Sequence, residues 1–332
     1  MTDSGGGAVP GGVFAPPARR GKTGGVPPGP NTPSALNVQP LSGLRVAVTR
    51  SMDRAGGLLA ALEDAGAEPV LVPLIDFEVG EQDALGAALR RLAAGEYRWL
   101  VISSITTVRA LKQWCESAGT SLAGIIPAST SVATIGPTSV DILAAEGITT
   151  VLAPTDLQSA AGLVELWPAP DPAHGTTNRV LLPQSNLASP TLLGGLTAKG
   201  WNPEAVTAYQ TVDYPARNGR RLTATLAARS PVQECLARDV LTPAEAAGEI
   251  RAGAIDAVVL ASGSAARRTA QALAPLPDSC LVVAIGEPTR QEAERLGMRV
   301  AATAVHPTPD GITAALAAAR THFHNQDSQE SS

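Results

Sequence analysis

Leu44-Arg45-Val46-Ala47-Val48-Thr49 opens the stretch that decides the fold, which continues through a run from Arg54 to Ala65, Gly66, and Pro69-Val70-Leu71-Val72. The first and last pieces are short apolar runs rich in β-branched residues, the pattern of strands buried on both faces. Between them, Leu58, Leu59 and Leu62 recur at helical spacing, and Gly66 stands where a helix C-terminus favours glycine. Strand, helix and strand make a β-α-β unit, whose crossover is almost always right-handed.

The same grammar runs through the chain. Strands are predicted at Trp99–Ile102, Ser131–Ile135, Thr150–Leu152, Arg179–Leu182, Ala257–Leu260, Leu281–Ile285 and Val300–Ala302. Helices are predicted over Thr107–Ser117, Ser139–Glu146, Pro190–Lys199, Ser264–Leu273 and Pro288–Leu296. Alternating elements of this kind argue for doubly wound parallel sheets, an α/β fold. There is also an internal echo. Trp99 to Ser104 precedes Ile135-Gly136-Pro137-Thr138-Ser139, and Ala257 to Ser262 precedes Ile285-Gly286-Glu287-Pro288-Thr289. In each half a strand ends in serine, a helix follows, and a second strand ends in Ile-Gly-x-x-Ser/Thr.

Bulk composition narrows the function. A length of 332 residues is a prior for about two domains. The net charge of −5 argues against a general nucleic-acid binder, which needs a basic face, but leaves room for a small anion. Cys115, Cys235 and Cys280 are too far apart for metal-ligand spacing and read as reduced thiols in a cytoplasmic protein. His174, His306, His322 and His324 make no zinc pattern with them. No membrane span, export signal, phosphate-cradling loop or dinucleotide fingerprint is evident, so the expectation is chemistry without cofactor or metal. Residues 1–40 are Gly, Pro and Ser with few large apolar side chains and read as a disordered tail, as do residues 321–332.

Candidate site residues lie where strands end. Ser139 and Thr289 stand near helix starts, where free N–H groups attract carboxylates; the same hydroxyls could be mere N-caps. Ser104, Ser262 and Ser264 carry the same two readings. Arg50 follows the first strand at its carboxyl end, where ligands of open α/β sheets bind, or forms a surface ion pair. Tyr209, in Val206-Thr207-Ala208-Tyr209-Gln210-Thr211-Val212, is either a packing residue or a catalytic one.

From about Leu41 to Arg320 the chain resembles uroporphyrinogen-III synthases. The resemblance rests on Val48-Thr49-Arg50 with its helix and Gly66, on Trp99 to Val108, and on both Ile-Gly-x-x-Ser/Thr turns. Val180-Leu181-Leu182-Pro183, Ala208-Tyr209-Gln210-Thr211, Ile255 to Ser262 and His306-Pro307-Thr308-Pro309-Asp310-Gly311 complete it. Thr106 stands where the family often has asparagine, Gln184 where arginine is common, and Ser139 for the usual threonine. The stretch from Arg229 to Asp239 is longer than usual. The resemblance implies two flavodoxin-like domains joined by a two-stranded linker. One comprises residues 41–74 plus 213–320 and the other residues 78–206, with linkers near Leu74–Glu78 and Thr207–Asp213. It implies a monomeric lyase acting on hydroxymethylbilane, a linear tetrapyrrole with an acetate and a propionate on each ring. The reaction loses water, inverts the last ring through a spirocyclic intermediate and closes the macrocycle. Tyr209 would be the catalytic residue, with Arg50, Ser104, Ser139, Ser185, Ser262, Ser264 and Thr289 binding substrate. The competing expectation is a non-catalytic tetrapyrrole- or anion-binding module on the same fold; a receiver-like domain lacks the acidic cluster it would need after the first strand.

Deleting residues 1–38 is expected to leave melting temperature and turnover unchanged. Thermal denaturation and assay of the truncated chain check this, and a large drop in either would make the tail part of the fold.

Overall fold

The opening β-α-β unit forms as its spacing predicts. β1 (Arg45–Val48) and β2 (Glu68–Leu71) pair in parallel, Val46 opposite Pro69 and Val48 opposite Leu71, with α1 (Met52–Asp64) between them. Leu58, Leu59 and Leu62 of α1 are buried, and Gly66 after its end takes a left-handed φ of 89°. This computed structural model describes residues 39–171, 177–227 and 239–330. Nearly all of the expected N-terminal tail, His174, Cys235 and almost all of the long stretch from Arg229 lie outside the described residues.

The strands form two five-stranded sheets. The first has the order β10-β9-β8-β1-β2, where β8 is Ala257–Leu260, β9 Leu281–Ala284 and β10 Val300–Thr303. All its pairings are parallel. Alternate residues feed two cores. Val46, Val48, Val259 and Val283 pack with α1 and with α10 (Pro309–Glu330). Ala47, Val70, Val258, Leu260 and Val282 face α7 (Pro243–Arg251), α8 (Gly263–Ala272) and α9 (Glu287–Arg295). Burial on both faces is why these strands are unbroken apolar runs in the sequence.

The second sheet has the order β3-β7-β6-β4-β5. Its members are β3 (Ile75–Val79), β4 (Trp99–Ile102), β5 (Ser131–Thr134), β6 (Arg179–Ser185) and β7 (Asn202–Asp213). Its helices include α2 (Gln82–Ala93), α3 (Ile105–Ser117), α4 (Pro137–Ala145), α5 (Ala160–Leu166) and α6 (Thr191–Ala198). Only β3 runs against its neighbour, with Ile75 opposite Asp213 and Val79 opposite Tyr209. The segments expected as linkers are therefore strands of this sheet, and β7 is one long strand serving both purposes.

Three expectations change. The strand expected at Thr150–Leu152 reduces to a single bridge from Leu152 to Ala133. Val151 faces solvent there, and Pro154 cannot extend a ladder. The expected loose end from residue 321 is instead the last part of α10, which packs Phe323 against the first core. The chain just after Asp213, expected to join the first sheet's domain, turns back onto β3 and α3, and Leu222 and Leu226 enter the second sheet's core.

Two carboxylates explain that return. On β3 the odd residues Ile75, Phe77 and Val79 are apolar, while Asp76 and Glu78 point to the other face, the period-two alternation of a strand. Both acids are buried, Glu78 to 1% side-chain exposure. Asp76 accepts from the Ala216 amide at 2.9 Å and from Arg221 Nε at 2.7 Å. Glu78 accepts from the Arg217 amide at 2.8 Å and from Arg217 Nη2 at 2.6 Å, with Arg220 Nε at 3.4 Å. A buried carboxylate is tolerated only when paired in this way. Leu222 N–H also donates to Phe77 O at 2.9 Å and Val79 N–H to Arg220 O at 2.8 Å, which covers the free edge of β3. At the far end of β3, a side chain on Gly80 would meet the Thr207 carbonyl at 2.1 Å, so only glycine fits. Among the described residues, no helix is long and apolar enough to cross a membrane.

The hydrogen bonds and charge of Arg217 lower the Glu78 carboxyl from 4.5 to about 2. Because the folded value is depressed, its stabilisation is complete above about 4.5 and is lost as pH falls through that window to about 2. Glu78→Gln is expected to lower the melting temperature at pH 7, with the gap from wild type narrowing as pH drops from 5 to 2.5. A constant gap in thermal melts across that range would show that the charge on Glu78 does not support the fold.

Candidate functional site

The carboxyl edges of both sheets meet at one joint. β2 ends on the carboxyl edge of the first sheet, and Val72-Pro73-Leu74 leads directly into β3. The first residue of β3, Ile75, lies opposite Asp213, the last residue of β7, which runs parallel to β6 and so ends on the second sheet's carboxyl edge. Loops at the carboxyl ends of parallel strands are where open α/β sheets bind ligands.

Each edge is locked by a buried threonine. Thr49 Oγ1, one residue past β1, donates to Val259 O at 2.7 Å, and Thr134 Oγ1, ending β5, donates to Ile102 O at 2.6 Å. Beyond these locks, a serine caps a helix in each half. Ser104 accepts from the Thr107 amide at the start of α3, and Ser262 accepts from the Ala265 amide at the start of α8, both at 3.1 Å. The N-cap reading therefore holds for both serines, and it leaves the outermost amides of each helix directed at the edge.

On the second sheet, Ser104 gathers a hydroxyl cluster. Its Oγ lies 2.9 Å from Thr107 Oγ1 and 3.3 Å from the Tyr209 hydroxyl. Tyr209 is 8% exposed, with its ring edge-on to Phe77 at 5.6 Å between centroids. It is thus a packing residue through its ring and a hydrogen-bonding residue through its hydroxyl. Ser185 ends β6 beside Tyr209 on β7, 3.2 Å from Thr211 Oγ1, and accepts from the Leu187 amide at 3.1 Å.

On the first sheet, Arg50, Ser262 and Ser264 line a cavity of about 180 Å³. Ser262 Oγ and Ser264 Oγ are 3.0 Å apart. Thr49, Ser51, Arg54 and Arg268 line it too, with Leu74 and Ile75 from the joint. Sequence reasoning missed Arg54 and Arg268. The signal was present: Arg54 follows Arg50 by four residues, and Arg268 follows Ser264 by four on one helix face. A smaller cavity of about 30 Å³ shares Ser51 and Ile75 with this one and reaches Phe77, Arg109 and Arg221.

Ser139 and Thr289 lie in the first turns of α4 and α9, both buried. Neither is an N-cap: Gly136 and Gly286 hold that position, without a side-chain cap. The glycines also differ. Gly136 has the left-handed φ of 85° that a sharp turn requires, whereas Gly286 at 179° is extended backbone open to any residue. The two hydroxyls join neither the Tyr209 cluster nor the lining of the arginine cavity.

Larger hollows lie on the opposite edges. One of about 540 Å³ sits at the amino ends of β9 and β10, and one of about 310 Å³ at the amino end of β5. They occupy corresponding places in the two halves, before the second strand and after its helix, so they are features of the repeated fold. Cys115 and Cys280 are free and buried, and burial pushes their thiols up to about 11 and about 12, leaving them protonated. Among the described residues, no group of three or more His, Cys, Asp and Glu side chains could hold a metal ion.

A family model described as uroporphyrinogen-III synthase HemD matches residues 57–314. A mutant uroporphyrinogen III synthase from the extremely thermophilic bacterium Thermus thermophilus superposes with a TM-score of 0.51 at 15% identity, over 84% of this chain and 99% of that one. The Helicobacter pylori uroporphyrinogen-III synthetase gives a TM-score of 0.47 at 11% identity, over 81% and 96%. The first of these is a likeness of fold. No curated protein matches the chain by sequence.

Proposed function

The chain belongs to the uroporphyrinogen-III synthase family, lyase-class cyclases of tetrapyrrole biosynthesis, and on that premise we propose how its two carboxyl edges cyclise hydroxymethylbilane. The observation that carries the reading is the family match across both halves of the chain. The meeting of the two edges at the β3–β7 joint supports a binding place between them.

The reaction breaks the bond from the terminal methylene to its hydroxyl and takes up a proton, so that water leaves. The substituted carbon of the last ring then attacks, and the ring inverts before closure releases a proton. Departure of hydroxide is assisted by the electron-rich pyrrole, so the protein's main task is to hold the chain folded with the reacting carbons together. Amides at the starts of α3 and α8, with Ser104, Ser185, Ser262, Ser264 and Arg50, are suited to hold carboxylates. Ser139 and Thr289, set in the first turns of α4 and α9, fit the same role only if substrate reaches into those turns. Tyr209 is the proposed proton donor to the departing hydroxide. Its partner Ser104 can donate to the phenolic oxygen as negative charge develops there, with the positive end of α3 behind it. On this reading the chain works as a monomer without added metal or cofactor.

Purified protein supplied with freshly generated hydroxymethylbilane is expected to yield the type III isomer. If chromatography finds only the type I isomer, the product formed without catalysis, the enzymatic reading fails.

Tyr209→Phe keeps the ring against Phe77 and removes only the hydroxyl. Positioned proton donors contribute about 10²–10⁴-fold, and a leaving group that departs readily puts Tyr209 at or below the low end. Turnover at saturating substrate should fall by up to about a hundredfold with melting temperature unchanged, more than in Ser139→Ala or Thr289→Ala. Wild-type turnover in Tyr209→Phe would leave it a packing residue.

A further inference from the structure

The cavity at the first sheet's edge gathers three arginines. Arg50, Arg54 and Arg268 line it with Thr49, Ser51, Ser262 and Ser264, and among the described side chains no aspartate or glutamate lines it. Asp213, the last residue of β7, lies opposite Ile75, which lines the cavity. Arg268 Nε donates to Asp213 Oδ1 at 3.3 Å. Among the described residues, the terminal nitrogens of Arg268 make no hydrogen bond. Asp213 is 88% exposed and Arg268 27% exposed.

We infer that Arg268 binds a carboxylate of the tetrapyrrole substrate, and that Asp213 is a stand-in which holds the guanidinium over the cavity until that carboxylate displaces it. This rests on the proposed cyclase function. A single bond from Nε to an exposed carboxylate is a weak ion pair, since solvent screens it and two side chains lose freedom to form it. A ligand carboxylate entering between Arg50, Arg54 and Arg268 can engage the guanidinium through two parallel N–H bonds, the stronger geometry. Ser264, one turn before Arg268 on the same face of α8, is placed to accept or donate to the same group. The exchange is isoelectric at the arginine: one carboxylate leaves, another arrives, and no buried charge is stranded. Asp213 closes β7, so the same event frees the end of the joint strand from α8.

The test is a thermodynamic cycle on binding, read by fluorescence titration with uroporphyrin, the oxidised macrocycle carrying an acetate and a propionate on every ring. Arg268→Gln is expected to weaken binding about tenfold, the scale of a lost charge-assisted bidentate contact. Asp213→Asn is expected to tighten binding by up to about fivefold, the ceiling an exposed ion pair sets. In the double variant the tightening should vanish, leaving the affinity of Arg268→Gln alone. Equal effects of Asp213→Asn in both backgrounds, or no tightening in the single variant, overturn the inference. Should Arg268→Gln melt early, Asp213→Asn still decides, because its exposed side chain can be changed without disturbing a core. Conversion of hydroxymethylbilane by the wild type is measured alongside. Loss of that activity with the cycle intact would sink the cyclase reading alone, and activity with no cycle would sink the role of Arg268 alone.

Discussion

Five residues of β3, Ile75 to Val79, pair antiparallel with β7 from Asp213 back to Tyr209, and that ladder brings the carboxyl edges of two largely parallel sheets to a common joint. It depends on Asp76 and Glu78, buried carboxylates that an edge strand would not carry without partners. Arg217, Arg220 and Arg221 supply them from the chain that leaves β7. The pairing therefore does two things together: it covers the edge of the sheet and returns the chain across α3 before it rejoins the first sheet at Val240, beside Leu71. Remove the acids and the edge opens; remove the arginines and two charges are left stranded in a low-dielectric site.

From that joint the two halves present the same parts with different chemistry. A threonine locks the edge in each, and a serine caps the following helix in each. On the second sheet the serine faces Tyr209 and Thr107, a neutral cluster backed by Phe77. On the first sheet it faces Ser264 and a cavity ringed by arginines. The second turns have diverged as well: Glu287 occupies the first position of α9 and pairs with Arg290, whereas α4 begins with Pro137 and has no acid in its first turn. A carboxylate already at the start of α9 competes with any ligand carboxylate there, so α4 is the more open of the two helix ends.

The strands that are buried on both faces were legible in the sequence because nothing interrupts their apolar runs, as in Ala257–Leu260 and Leu281–Ala284. β3 was hidden as a sheet member because its two buried acids imitate a surface segment, and only their distant arginines make it a strand. α7 carried a capping box, Thr242 with Glu245, ahead of Ala246, Ala247 and Ile250, yet lies next to a polar stretch that masked it. Within the site, Arg50 and Ser262 were legible because each stands two residues past a strand end, and Ser264 because it follows Ser262 by two. Arg268 was not, since its place depends on where α8 aims its second turn. Ser139 and Thr289 were legible as residues near helix starts, but not as third residues of the helix rather than caps; that difference lies in which residue takes the non-helical backbone conformation, here the glycines.

A protein of net charge −5 that takes up a carboxylate-rich tetrapyrrole works against its own overall field. At physiological ionic strength that field is screened beyond about 8 Å, so capture is decided by the charges lining the joint rather than by the chain's sum. Arg50, Arg54 and Arg268 line the first sheet's side of the joint, and the hydroxyls of Ser104, Thr107 and Tyr209 gather on the other. On the proposed function, a substrate held by its carboxylates at those arginines would extend its reactive end toward these hydroxyls. Charge binding and proton donation would then fall, on that same function, one on each repeat, and a duplicated edge offers over a single one two halves free to diverge while the β3–β7 ladder joins them.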